Sequence, residues 1–286
     1  MAPEQRSTLD DRLAARSAEL TPAERRVAEV VAAHRELVAF GTVAELARRA
    51  GASGASVIRL SDRLGYRGFR AMQDAVRSEL TTQLRPAREK IRRPIPGDLI
   101  ASVGDSAAES VRRTFDQIDP LQLERVAELI AQRRRRVLVV AGDAGAGIGR
   151  QVVTHLSMLR DGVESVAGGS VAAGRQLAGT RQGDVLLCID LPRHDRDVVR
   201  VAELARARAA AVVAIVDSPL SPLAEGAEAV FPVESHDVGP FDSYVGVLAL
   251  SEALVAATAR RLRSTAAERL DEMERIWDDL GAIGPT

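Results

Sequence analysis

Three runs in the second half of the chain are apolar at almost every position: "RVLVVA" at 136–141, "DVLLCID" at 184–190 and "AVVAIVD" at 211–217. A strand with one wet face alternates apolar and polar residues, so an uninterrupted apolar run marks a strand buried on both faces. Helical periods fill the intervals at 145–160 and 195–209. Strand and helix in alternation predict an α/β domain, doubly wound around a central parallel sheet. The stretches 99–119 and 121–132 ahead of it read as helices.

The first eighty residues carry only helical repeats. Thr21 with Pro22 behind it is an N-cap and first-turn pair, Leu20 is placed to staple onto the first turn, and Val27, Val30 and Val31 follow at helix spacing. Further on, Thr42 caps a short helix with Val43, Leu46 and Ala47 inward. Gly51 permits a left-handed turn, and Ser53 caps a second helix carrying Val57, Ile58 and Leu64. Helix, glycine turn and helix give the layout of a helix-turn-helix, whose second helix presents its first residues to base edges in the major groove. On that layout Ser53, Gly54, Ala55, Ser56 and Arg59 face the groove, with Arg59 suited to guanine. Thr42 lies at the start of the preceding helix, and Arg63, Arg67 and Arg70 are placed for phosphates. Two short amphipathic helices around a glycine turn also occur in other all-α domains, so the pattern alone leaves both readings open.

Composition and charge narrow the choice. The chain has 286 residues, enough for two cores, and its hydrophobic and charged fractions of 46% and 28% are those of an ordinary globular protein. No apolar run approaches a membrane span, and "MAPEQRSTLDDRL" has no apolar signal core, which points to a cytoplasmic protein with no membrane partner. The net charge of -1 hides a split: residues 1–95 carry 18 Lys or Arg against 12 Asp or Glu, and the remainder is correspondingly acidic. A basic first part suits an anionic partner such as double-stranded DNA. Cys188 stands alone inside an apolar run, which suits an inert buried thiol, and His34, His155, His194 and His236 have no metal-ligand spacing. No metal or cofactor is expected.

With those residues in view, the stretch from Leu20 to Val76 resembles the N-terminal domain of the RpiR family of bacterial transcriptional regulators. The resemblance lies in Leu20-Thr21-Pro22 with Glu24-Arg25, in "TVAELA", in "GAS" ahead of "ASVIRL", and in "LGYRGF". It implies a DNA-binding domain over 1–80, with Ser53, Ala55 to Val57 and Arg59 at the family's reading positions. Gly54 stands where the family often has Glu or Pro, which bears on the bases read.

"TTQLRPAREKIRRPIPGD", at 81–98, holds three prolines and no sustained period, and reads as a linker to a domain over 99–286. In a parallel sheet, ligands settle beyond the carboxyl ends of the strands, here the loops 142–149, 190–197 and 217–222. The first of them, "GDAGAGIG", spaces its glycines as G-x-x-G-x-G-x-G, which is not the dinucleotide fingerprint, and no Walker lysine follows.

Residues 121–260 resemble a SIS (sugar isomerase) domain in "VLVVAGDAGAG", "DVLLCID", "SPLAEGAEAVFPV" and "FDSYVGVLALSEALV". The resemblance implies an effector site at Gly142, Asp143, Ala144, Gly145, Ala146, Asp190, Arg193, His194, Arg196, Ser218, Ser221 and Ser243, taking a small molecule such as a sugar phosphate or other anion. Yet Ala146 stands where the family's first loop has Ser, and Asp190-Leu191-Pro192-Arg193-His194-Asp195 replaces a hydroxyl-rich phosphate loop. Asp190 and Asp195 repel a phosphate placed there, so the usual cradle is expected to be lost. Arg193, His194 and Arg196 remain to meet an anion from another angle, or to be solvated loop residues paired with Asp195 and Asp197. His194 beside Asp195 has no G-x-S-x-G serine with it, so no catalytic residue is assigned and the chain reads as a non-enzyme. A sugar-phosphate isomerase with an accessory helical domain and a regulator whose second domain only dimerises are the alternatives. Leu270, Met273, Trp277 and Leu280 make one apolar stripe on a tail helix, facing its own domain or a second subunit. A homodimer or higher oligomer is expected, since helix-turn-helix proteins commonly bind paired half-sites.

Overall fold

In the computed structural model the described residues are 9–83, 87–92, 97–219 and 221–282. They form two compact units, Met1–Pro86 and Ala87–Thr286. Parts of the expected segments fall outside the described residues: 1–8 of the first domain, 84–86 and 93–96 of the linker, and 220 and 283–286 of the second domain. What is described of 81–98 is more ordered than a linker. A helix runs to Gln83, and Ala87–Lys90 forms one turn whose Lys90 Nζ lies 2.5 Å from Asp242 Oδ1.

The first unit is six helices: α1 (Leu9–Arg16), α2 (Pro22–Ala33), α3 (Arg35–Phe40), α4 (Val43–Arg49), α5 (Gly54–Arg63) and α6 (Phe69–Gln83). Their apolar stripes converge on Leu9, Val27, Val31, Val38, Leu46, Val57, Leu60, Met72 and Val76. The helix starts follow from local chemistry. Thr21 and Glu24 form a capping box on α2, and Thr42 and Glu45 form another on α4, so two amides that the helix leaves unpaired are satisfied at each. Ser53 caps α5 by accepting from Ser56 N. Between α4 and α5 the chain reverses through Gly51 at φ +55°, a conformation a side chain resists.

Glu24 does more than cap. Its side chain is buried, and beyond Thr21 it accepts from Arg63 Nε at 3.1 Å, which ties the start of α2 to the end of α5. Burial would raise its pKa, but the hydrogen bonds from Thr21 and Arg63 outweigh it and hold the carboxyl below its ordinary 4.5.

The second unit has α7 (Ala87–Lys90), α8 (Leu99–Gln117) and α9 (Pro120–Ala131), followed by the alternating part. There β1 (Val137–Ala141), α10 (Ala146–Leu159), β2 (Val163–Ser165), α11 (Gly169–Leu177), β3 (Val185–Ile189), α12 (Arg196–Arg206), β4 (Ala211–Val216) and β5 (Ala229–Pro232) succeed one another. Two long helices, α13 (Val245–Arg261) and α14 (Arg263–Leu280), end the described chain. The five strands are all parallel, in the order β2-β1-β3-β4-β5, with Val139 beside Leu187 and Leu187 beside Val213 across the centre.

Strand alternation divides the apolar residues cleanly. Val137, Val139, Leu187, Ile189, Val213, Ile215 and Phe231 pack with α9, α10 and α13 on one face. Leu138, Val140, Leu186, Cys188, Val212, Ala214 and Val216 pack with α11 and α12 on the other. Cys188 is fully buried in that second layer, and burial pushes its thiol up to about 12. The tail stripe turns partly inward: Leu270, Met273 and Trp277 are half-buried and Leu280 is exposed, with Arg269 donating to Ser157 O on α10.

Arg160, at the end of α10, holds the unit's first turn together. It is 2% exposed and donates to the carbonyls of Asp161 at 2.8 Å, Gln132 at 3.0 Å and Arg133 at 3.4 Å, and to those of Ile130 and Arg135. These carbonyls belong largely to the end of α9 and the turn into β1, where a helix runs out of its own donors, although Gln132 O also accepts from Arg135 N at 2.9 Å.

Two stability predictions follow from these buried polar groups. Arg160→Leu should cost about 3 kcal/mol or more, because several carbonyls lose their donor together. A urea titration reads this as a lower midpoint, and an unchanged midpoint would contradict the role given to Arg160. Glu24 has a depressed folded pKa, so its stabilisation is full above its ordinary 4.5 and fades as pH falls through the folded value. Glu24→Gln should therefore lower the unfolding free energy by about 1–2 kcal/mol at neutral pH, read in the same urea titration, and converge with wild type in acid.

Candidate functional site

In the first unit the candidate surface is the outer face of α5. At 100° per residue, Val57, Leu60 and Leu64 turn inward, and Gly54, Ala55, Ile58, Arg59, Asp62 and Arg63 share the opposite side. Ile58, expected among the inward residues, is 45% exposed on this face. Ser53 and Ala55 are exposed at its leading end and Gly54 is partly so, leaving open the first amides of the helix.

Arg59 is the long cation here, and it is held rather than loose. Its Nη2 donates to Ser56 Oγ at 3.0 Å, and its Nε lies 3.8 Å from Glu24. Ser56 is buried, unlike the groove-facing position expected of it, because it lies one residue from Val57 on the inner side and its hydroxyl bridges Ser53 and Arg59. Arg63 is committed to Glu24 and to Glu19 O at 3.1 Å. The Thr42 hydroxyl is spent in its capping box, and Arg67 and Arg70 are exposed. Glu24, which organises both Arg59 and Arg63, had no place in the sequence-derived site; the Thr21-x-x-Glu24 spacing was its only local signal.

In the second unit, β1 is flanked by β2 on one side and β3 on the other, so the chain's winding reverses between β1 and β3. In open α/β sheets the crevice at such a switch point, outside the carboxyl ends of the strands, is where ligands bind. Gly142 follows β1 and donates to Ile189 O at 3.0 Å. None of the four loop glycines has positive φ. What they supply is closeness: a Cβ at Gly142 would collide with Asp190 Oδ1, one at Gly145 would meet Tyr244 Cε1 at 2.9 Å, and one at Gly149 the Ala141 Cβ at 2.9 Å. Gly147 faces open space.

Asp190 is buried beneath this loop, with His194 Nδ1 3.6 Å from its Oδ2. On its other edge the His194 ring places Nε2 3.8 Å from Asp217 Oδ1, at the end of β4. The structure thus places Gly142 and His194 against Asp190, and Gly145 against Tyr244. Asp143, Ala144 and Ala146 lie exposed on the first loop, and Arg193 and Arg196 are exposed on the second, Arg193 at φ +69°. Ser221 is buried and accepts from Leu223 N, and Ser243 accepts from Val245 N, so both hydroxyls serve local turns. Ser218 is half-buried after β4.

Sequence reasoning passed over Tyr244 and Asp217. Burial, then Asp190, Asp242 and Asp217, push the Tyr244 hydroxyl up to about 12, so it is a neutral hydrogen-bonding group throughout the physiological range. Its ring lies on Gly145, a neighbour far along the chain that no local pattern announces.

Comparison with known proteins bears on both units. The family described as "Helix-turn-helix domain, rpiR family" matches residues 8–83, and that described as "SIS domain" matches residues 129–257. The chain is similar to the "Bifunctional protein glk" of Paraburkholderia xenovorans (strain LB400), at 26% identity over 223 residues, covering 77% of this chain and 34% of that protein. It therefore spans about a third of that relative's length. Among solved structures it is similar to the RpiR transcription factor from Sphaerobacter thermophilus (sugar isomerase domain), with TM-score 0.58 and 27% identity over 62% of this chain and 98% of that one. It shares its fold with the Vibrio vulnificus NanR protein complexed with ManNAc-6P, at TM-score 0.55 and 23% identity, over 96% of this chain and 99% of that one. The chain thus carries an rpiR-type helix-turn-helix domain followed by a SIS domain.

Proposed function

We propose that this protein is a DNA-binding transcription regulator in which α5 reads an operator and the SIS crevice senses a small carbohydrate derivative. The observation that carries the first half is the outer face of α5. Small residues at its leading end let the helix approach base edges, and Arg59, braced by Ser56 and Glu24, is held ready for a bidentate contact with guanine. Arg67 and Arg70 serve as phosphate contacts, which set register and affinity but carry no sequence information. Thr42 and Arg63 hold the motif in shape.

The second half rests on the switch-point crevice of the SIS domain and on its fold likeness to NanR, which was solved with ManNAc-6P. The loops lack the usual phosphosugar cradle: where hydroxyls would stand, the crevice holds Asp190, His194 and Asp217. An effector acts on transcription only through unequal affinity for two arrangements of the paired DNA-binding domains, so regulation requires a homo-oligomer and a shift between those arrangements. The protein acts as a regulator and not as an enzyme. Its lone thiol is sealed in the core, and the crevice histidine has no serine nucleophile with it.

Binding of the full chain to its own upstream DNA tests the first half. Arg59→Ala should lose about tenfold or more in discrimination between operator and scrambled DNA, whereas Arg67→Ala should weaken both nearly equally and reduce the salt slope by about one. Full discrimination by Arg59→Ala would overturn the role given to α5. For the second half, a sugar library should yield a compound that raises the melting temperature and changes operator affinity in the same concentration range.

A further inference from the structure

The start of a helix beyond the carboxyl end of a parallel sheet gathers unpaired N–H groups and the positive end of the helix dipole, so a free anion is ordinarily received there. In this chain the loop leading into α12 already holds an anion of its own. Asp190, 5% exposed, accepts from Leu191 N through Oδ1 at 3.1 Å and from Asp195 N, the amide of the α12 cap residue, through Oδ2 at 2.7 Å. Within the first turn of α12, Asp197 N donates to Asp195 Oδ1 at 2.8 Å. Glycine at 142 clears the space in which the Asp190 carboxylate lies.

We propose that Asp190 is a built-in anion that determines the specificity of the crevice. By occupying the amides ahead of α12, it excludes phosphate and restricts the site to a carbohydrate derivative without one. The inference rests on the reading of the crevice as the effector site, and it adds the chemical class of the effector. Three features support it together. The carboxylate that accepts the two amide bonds is itself buried, and a phosphate seated on those amides would have to break both. The carboxylate would also oppose it at contact, where repulsion between like charges in a protein interior is several times the thermal energy. Lastly, Asp217 on the far side of His194 adds a second carboxylate, so a ligand offering hydroxyl or amine donors meets two acceptor groups there.

The test uses the full chain with glucose, glucose 6-phosphate and inorganic phosphate as probes, at constant ionic strength set with potassium chloride. Neither phosphate probe should move the wild-type melting temperature by more than about 1 °C relative to chloride. Asp190→Ser, which frees the amides of Leu191 and Asp195, should bind inorganic phosphate and glucose 6-phosphate about tenfold or more tighter than wild type in calorimetry. Asp190→Asn keeps the shape and one acceptor but removes the charge, and should gain a smaller part of that affinity. It stands in if the serine variant does not fold. Wild type that prefers glucose 6-phosphate to glucose by about tenfold, or folded variants that gain nothing, would overturn the proposal. Failure of the effector reading looks different: operator binding would respond to no sugar, while the variants would still acquire phosphate.

Discussion

A sheet whose strands are apolar on every residue must be covered on both faces, and this requirement shapes the second unit more than any single contact does. Val139 and Leu138 belong to different cores though they are neighbours in sequence, and so do Leu187 and Cys188. Covering both faces sends the connections from β1 through β4 across in helices, and parallel strands then all end at the same edge. The loops after β1, β3 and β4 meet there because they have no other place to go. Arg160 meets the opposite demand. It satisfies the carbonyls stranded where α9 gives way to β1, allowing the first strand to enter the sheet without water.

The helical unit is governed by a smaller device with a similar logic. A buried carboxylate is costly unless every lone pair is used, and Glu24 uses its own on the Thr21 amide and hydroxyl and on Arg63. Arg59, within reach of the same oxygen, is oriented by it and by Ser56. One residue therefore starts α2, fixes the distance from α2 to α5, and limits the rotamers of the arginine on the outer face. An arginine held in this way has little rotamer freedom left to lose in a further contact.

How much of this is legible in the sequence depends on the range over which each feature is decided. The three central strands are decided locally, by β-branched runs, and they lie within a residue or so of where the runs place them. The capping boxes at Thr21 and Thr42 and the turn at Gly51 are local too. Ile58 and Ser56 went the other way because facing is a matter of angle: with Val57 and Leu60 inward, helix geometry turns 58 out and brings 56 in, whatever their polarity. Tyr244 on Gly145 and Arg63 on Glu24 are settled by packing between distant segments. The left-handed Arg193 is similar, since an arginine does not advertise a positive φ and only the folded loop imposes one.

The second loop shows why a missing motif is not the same as a missing interaction. Read as a sequence, Asp190-Leu191-Pro192-Arg193-His194-Asp195 is a phosphate loop without its hydroxyls, and the obvious inference is that nothing binds its amides. In the fold those amides are still directed at an anion, and the anion is the chain's own. Buried N–H groups must be satisfied by something, so a loop that keeps the backbone of an anion site while discarding external anions has to provide an internal one. A carboxylate immediately after the strand is short enough to do so, and glycine at 142 is what makes room for it. Gly142 and Asp190 thus form a single device spread over two loops, and neither residue can be interpreted without the other.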